Sequence, residues 1–512
     1  MSNKVSNHLF ELIKSLNKSE KRYFKLYSSR HTIGEENGYL RLFDFIDRMD
    51  TYQEDLIFMH FKGQALLNKF SITKARLYSN ILRSLDAFNA NSSEDAQFYR
   101  SLNCADILFD KGLYKQCEKL LASTEKLAQK SERFTILLDI KEKQKRLIEN
   151  DGYVDSNQAE LANMLESEEM IIADLKMYNE LWNVKSLLFQ EINLNGKNRS
   201  EEVDDRLKFL VSRLEGIEVM NHSKRIQHIY HHIHGAFYFA TNNYEACYEH
   251  LSANLVLFED KNSNFKNRPN LYFSMLTNLV YVATKLKFYE KAQTYLRLLN
   301  GYTESSEQQH TLDLEIKYFS SKYSLELFLL SEKGDFVQAE KLVPKILEGY
   351  KVHGDQINPL RKAYIDFKIS IIYLSLGEFS KALLWSNKVL NEDRIDKNHD
   401  IHCFAQLINL ILHYELKNNR FLPYALNTTK RYLKTRNRIY AFEEVFLKLI
   451  SQLARIDGVF DLEDKLVLIE KELIKLKNHP KERNVFEYFD FLTWVQSKLK
   501  RKTYLEMKLI NG

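Results

Sequence analysis

A short phrase recurs along this chain at a near-constant step, and it limits the fold more than any other feature. A turn residue is followed two positions on by an aromatic and three further by a small residue. It reads Gly112-Leu-Tyr114 with Cys117, Asn242-Asn-Tyr244 with Cys247, Lys287-Phe-Tyr289 with Ala292, Gly334-Asp-Phe336 with Ala339, and Gly377-Glu-Phe379 with Ala382. Asn419-Arg-Phe421 with Tyr424 is a weaker copy, and Gly458-Val-Phe460 has Glu463 where a small residue is expected. From 242 the turn residues advance by 45, 47, 43, 42 and 39. The earlier gap, from 112 to 242, is 130, or three steps of about 43 in the manner of a repeat array. Gly152 and Gly196 stand near the two intervening places.

Each step has one physical logic. An apolar-periodic helix ends at the turn, where Gly or Asn tolerates the left-handed conformation that closes a helix. The aromatic enters a second helix and covers the hairpin, and the small residue lets the two helices approach. In 271–300, Leu276, Leu279, Val280 and Ala283 recur at helical spacing before the turn, and Ala292, Tyr295, Leu296 and Leu299 after it. One such pair cannot bury its stripe, so neighbours must stack. Composition agrees. Only 15 Gly and 5 Pro in 512 residues is too few for a fold of many strands and tight crossovers, which needs them at its turns. With 44% apolar residues and 64 aromatics the chain can bury a large core.

The phrase Lys333-Gly334-Asp335-Phe336 with Ala339 resembles the inter-helix turn of a tetratricopeptide repeat, and the segment around Gly377, Phe379 and Ala382 is similar. The resemblance implies an all-α fold. The chain would form a right-handed α-solenoid of about nine helix-turn-helix repeats, with a period of about 43 against the usual ~34. It implies a protein- or peptide-binding scaffold and departs from the family in its longer step. On this reading 1–90 is an N-terminal helical domain, 91–97 a linker, 98–480 the array, and 481–512 a C-terminal capping helix with a basic tail. Residues 1–90 lack the period. Their helical stripes run Val5, Leu9, Leu12, Leu16, then Tyr23, Phe24, Tyr27, then Leu42, Phe43, Ile46, Met49, with Ser19 as a candidate cap. The most regular helix is 73–89.

The net charge of +5 is small for this length, and four cysteines without a Cys-x-x-Cys pair make no disulfide framework. The start lacks the apolar stretch of a signal peptide, and no run is long and apolar enough for a membrane span. A cytoplasmic protein with reduced thiols, without a membrane partner, is the expectation. Residues 1–90 carry 14 Lys and Arg against 10 Asp and Glu, and 481–512 carry 7 against 4, with the run Lys498, Lys500, Arg501, Lys502.

Phosphate-loop, dinucleotide, zinc-protease and nucleophile-elbow signatures are absent, so a non-enzymatic protein without cofactor is expected. The resemblance places Asn183 and Gln190, His228 and His232, Thr277 and Tyr281, then Asn409 and His413 on the inner face of successive first helices. Amides there could pair with the main chain of an extended peptide, or simply with neighbouring helices. Five histidines crowd 221–234: His222, His228, His231, His232 and His234. They read as packed or solvated residues, as a groove lining, or as metal ligands. Two imidazoles four apart fall short of the roughly four ligands of a structural zinc site, so no metal is expected. The alternative function is nucleic-acid binding through Arg76, Asn80 and Arg83, residue types that read base edges. The connection at 62–72 is too long for a helix-turn-helix, and the two cations of this face give a salt slope of only about −0.9 × 2.

Overall fold

A computed structural model of the chain describes residues 7–30, 38–89, 94–154, 157–195, 201–260, 269–305, 312–354, 356–397, 399–454, 460–479 and 481–511. Val5, residues 91–93, Gly196, Gly458 and Pro480 lie outside them. The described residues contain helices and no strand. By contact the chain divides into one unit of residues 1–129 with 133–171, and a second of 130–132 with 172–512.

The first unit opens with α1 (His8–Ser15), α2 (Lys18–Arg30), α3 (Gly38–Arg48), α4 (Glu54–His60) and α5 (Phe70–Phe88). Leu9, Ile13, Leu16, Phe24, Leu42, Phe43, Ile46 and Ile81 share one core among these five. The cap of α2 is Asn17 rather than Ser19. The Asn17 side chain accepts from the Glu20 amide at 2.9 Å, and the Glu20 carboxylate accepts from the Asn17 amide at 2.8 Å, a reciprocal capping box. Then come α6 (Glu94–Asp110), α7 (Tyr114–Lys130) and α8 (Phe134–Asn150), around a separate core of Phe98, Leu102, Leu121, Ile136 and Ile140. Residues 94–97, expected as linker, are the first turn of α6.

Next, α9 (Gln158–Asn195) runs unbroken for 38 residues. A second helix, a loop and another first helix were expected between Gly152 and Gly196. The stretch holds neither Gly nor Pro, so nothing ends the helix.

The second unit continues with α10 (Glu201–Ser212), α11 (Lys224–Ala240), α12 (Tyr244–Glu259), α13 (Pro269–Lys285), α14 (Tyr289–Ser305) and α15 (Leu312–Glu332). It goes on through α16 (Phe336–Glu340), α17 (Val343–His353), α18 (Pro359–Ser375), α19 (Phe379–Leu390), α20 (Asp400–Glu415), α21 (Leu422–Lys434), α22 (Ala441–Leu453) and α23 (Phe460–Asn478). It ends with α24 (Phe491–Leu499) and α25 (Tyr504–Asn511). Helices α11 and α12, α13 and α14, and α18 and α19 pack as hairpins. The first helices α13, α15, α18, α20 and α22 pack in a row. This is a tandem array of helical hairpins.

The hairpin turns share one geometry. Gly112, Asn242, Lys287, Gly334, Gly377 and Lys417 all have φ between +54° and +79°. At each, the next amide donates to the carbonyl five residues back, as Glu378 to Tyr373 at 2.8 Å and Asn243 to Tyr238 at 2.9 Å. This is the Schellman closure, which satisfies carbonyls the helix end would leave bare. The last of these turns sits at Lys417, not at the expected Asn419. The small residues mark the helix crossings. Ala292, Ala339 and Ala382 are 0% exposed, and the Cys247 thiol donates to the Gly235 carbonyl at 3.2 Å.

Past Asn478 the chain turns back onto the array. Tyr488 stacks on Phe404 at 4.2 Å between ring centroids and meets Phe367 edge-on at 6.5 Å. The Trp494 indole donates to Glu415 at 2.7 Å. Because this segment covers α18 and α20, both are buried nearly all round. The basic run 498–502 is the turn of a final hairpin, with Arg501 at φ +51°.

Candidate functional site

A cavity of about 520 Å³ lies in the second unit. Its walls come from the end of α9 (Phe189, Ile192, Asn193), from α11 (His232, Ala236, Phe239), and from α13 (Thr277, Asn278, Tyr281). Helix α15 adds Ser321, Ser324 and Phe328. The first turns of α18 and α20 close it with Leu360, Arg361, Tyr364, His399 and Ile401. The size falls in the range of ligand pockets, roughly 300–1,000 Å³.

The apolar wall is held rigid by ring packing. Tyr281 stacks on Phe328 with centroids 4.6 Å apart and planes 10° apart, and Phe239 meets it edge-on at 5.5 Å. Burial pushes the Tyr281 hydroxyl far above its ordinary range, with the Glu487 charge adding to the shift. The polar groups sit between these rings. Thr277 donates its hydroxyl back to the Phe273 carbonyl at 2.8 Å, and the Arg361 guanidinium donates to Ser321 at 3.0 Å. His232 stacks on His228 at 6.0 Å, and its buried Nδ1 has no hydrogen-bond partner. Burial, then the Lys185 and His228 charges, pushes His232 down to about 3, so it is neutral.

Of the eight groove residues expected from the sequence, His232, Thr277 and Tyr281 line this cavity. The others lie elsewhere. His228 contacts the Asn254 side chain at 3.1 Å, and Asn183 accepts from Arg213 at 3.3 Å. Gln190 is exposed on α9. Asn409 donates to Asn387 of α19 at 3.0 Å, and His413 contacts Asn418 in its own hairpin turn at 3.0 Å. Sequence reasoning missed Arg361, Ser321, Phe328 and Tyr364. The signal for Arg361 was weak: Asn358-Pro359 marks a helix start, but nothing in the repeated phrase marks that start as cavity-facing.

The histidine cluster divides. His232 faces the cavity, whereas His231 and His234 pack with His250 of α12. The two Nδ1 atoms of His231 and His250 are 3.0 Å apart, and His234 stacks on His250 at 4.9 Å. Burial pushes His231 and His234 down to about 4 and lowers His250. His222 contacts Asp174 at 3.2 Å. Among the described residues no group of three side chains is arranged to hold a metal ion.

A buried charge stands nearby. Lys368 of α18 is 4% exposed, and its ammonium lies 5.3 Å from the Phe328 ring centre and 5.6 Å from that of Tyr364. Burial pulls it down to about 8, against the pull of Glu332.

In the first unit, Arg76, Asn80 and Arg83 line one shallow depression on α5 with Tyr39, Ile72 and Ser79. Both arginines are exposed. Among the described residues no helix is long and apolar enough to cross a membrane.

No family model matches the chain, and no curated protein matches it. Solved structures do. The chain is similar to NprR in complex with its cognate peptide NprX at 15% identity, over 73% of this chain and 100% of that one, with a TM-score of 0.42. It is also similar to the apo form of RapI at 11% identity, over 80% of this chain and 99% of that one, with a TM-score of 0.39.

Proposed function

We propose that the second unit is a receptor for a short peptide segment, and that the protein acts as a non-enzymatic scaffold or regulator in the cytoplasm. The observation that carries this reading is the cavity itself. It is lined by rigid aromatic rings from successive first helices and interrupted by amide and hydroxyl groups of Asn193, Asn278, Ser321 and Ser324. That mixture suits a ligand with apolar side chains and a polar main chain. His232, Thr277 and Tyr281 are the residues of the original groove that this reading keeps. The division into an N-terminal helical part and a binding array stays with it.

Filling the cavity tests the reading. Ala236→Trp places an indole among the lining residues while leaving the hairpin crossing at Gly235 intact. It should abolish the thermal shift that a peptide ligand gives to the parent protein, with an unchanged circular dichroism spectrum. An equal shift in both proteins would overturn it.

A second reading assigns nucleic-acid binding to the Arg76, Asn80 and Arg83 face, because these three share one depression with both arginines exposed. Arg76→Ala and Arg83→Ala would then each lower the salt slope of DNA binding by about one unit. Unchanged slopes would discard it.

A further inference from the structure

The inner cavity is unevenly charged. Among its described lining residues there is no aspartate or glutamate, whereas Arg361 is one of them. Its guanidinium donates to Ser321 at 3.0 Å and Ser320 at 3.4 Å. Among the described residues no carboxylate lies within ion-pairing distance of it. Asp313, whose field it feels, pairs with Lys317 at 2.6 Å instead. A guanidinium has five N–H donors in a planar fork, and two neutral hydroxyls do not match the carboxylate that fork fits best.

One helix end strengthens the positive field. Arg361 stands in the first turn of α18, a helix of 17 residues with no acidic residue in that turn, so the positive end of the helix dipole lies beside it. On the helices farther along the row, α9 and α11, the wall is apolar and aromatic: Phe189, Ile192 and Phe239. His232 on that side is neutral, and its buried Nδ1 is unpartnered. The cavity therefore has a cationic end, an apolar end and, among its described lining residues, no anion.

We propose that it takes the C-terminal end of a short peptide, with the terminal carboxylate paired to Arg361 and apolar side chains against the Phe189–Phe239 wall. This rests on the peptide-receptor reading and names the chemistry of its ligand. A terminal carboxylate fits better than an Asp or Glu side chain. A side-chain carboxylate would bring peptide groups on both flanks into the same apolar space, each needing a partner. A chain terminus brings them on one flank.

The test uses the full chain and three pools of N-acetylated pentapeptides randomised over Ala, Val, Leu, Ile and Phe. One pool is a free acid, one is a C-terminal amide, and one is an amide carrying Asp at the last position. Dodecanoate forms a fourth arm. Equilibrium dialysis read by mass spectrometry should retain the free acids at least tenfold over both amide pools and over dodecanoate. Arg361→Met should remove that preference while leaving weak retention of acids and amides alike, and Arg361→Lys should restore part of it. Equal retention of acid and amide pools by the parent protein, or a preference that survives Arg361→Met, would overturn the carboxylate assignment and leave the receptor reading standing. Better retention of the Asp-bearing amides would do the same. No retention of any pool, or dodecanoate retained over all peptides, would overturn both.

Discussion

The Tyr244 hydroxyl donates to the Glu487 carboxylate at 2.7 Å, joining residues 243 positions apart in sequence. Arg483 reinforces the closure by donating to the Asn242 carbonyl at 3.2 Å. The C-terminal segment thus binds the hairpin turn between α11 and α12, and the row of first helices is capped from within. A hydrogen bond to a charged group contributes about 1.5–3 kcal/mol. Tyr244→Phe should lower stability by that amount in urea unfolding and speed proteolysis within 481–511. Unchanged cleavage there would mean that the contact does not hold the segment.

The left-handed turns give a prediction with opposite signs at two sites. Gly377 has φ +79°, and a Cβ there would meet nothing within 4 Å, so Gly377→Ala should cost about 1 kcal/mol from backbone strain alone. Lys287 adopts φ +58° without being glycine. Lys287→Gly should therefore gain up to about 1 kcal/mol, less the added freedom of the unfolded chain. Two chemical-denaturation curves decide it, and destabilisation by Lys287→Gly would contradict the account.

Ala292 marks a helix crossing and is 0% exposed. Overfilling a packed crossing costs roughly 1–3 kcal/mol, so Ala292→Leu should lower the unfolding midpoint correspondingly. A neutral result would place the crossing elsewhere.

The repeated phrase made the hairpins legible because each turn needs the same three things: a tolerated positive φ, a covering ring and a small crossing residue. It did not reveal α9, whose sequence carries no stop, nor the returning C-terminal segment, which copies no phrase. That segment also explains why Asn409 and His413 do not reach the cavity. In α13 the cavity is lined by Thr277 and Tyr281, ten and six residues before the turn at Lys287. A frame carried at that offset along the array points to the later turns of α18 and α20. Tyr488 and Trp494 fill the space around those turns, and the open space shifts to Leu360, Arg361, His399 and Ile401 at the helix starts. A fixed offset cannot follow such a shift. His232, Thr277 and Tyr281 come from the part of the array before that shift.

Lys368 is charged, buried and unfavourable in its place. Its folded pKa of about 8 lies below the ordinary 10.5. Between these values the unfolded chain binds more protons, so stability should rise as pH rises from about 8 to 10.5. Below that window the full cost, about 3 kcal/mol, is present. Lys368→Met should stabilise the protein at pH 7 by about 1–3 kcal/mol and abolish the alkaline rise. Loss of stability at pH 7 would show that the ammonium is held by Glu332 and Glu487 more strongly than burial opposes it.

The histidines between α11 and α12 act in the acid range. His231 and His234 are pushed down to about 4 by burial and by their mutual repulsion with His250, against an ordinary 6.5. Glu249 pulls His250 the other way, and Tyr230 and Tyr238 pack on the same rings. The unfolded chain binds the extra protons between about 4 and 6.5, so stability should fall as pH falls through that window. His250→Phe should flatten the dependence, as read from urea midpoints at pH 7.5 and 5.0.

Photo-cross-linking inside the cell that makes this protein tests the central claim most directly. With p-benzoylphenylalanine at position 278, among the cavity-lining residues, and at position 384, on the exposed side of α19, the account predicts one outcome. A short peptide should attach at 278 and not at 384. Equal products at the two positions, or attachment at 384 alone, would contradict it.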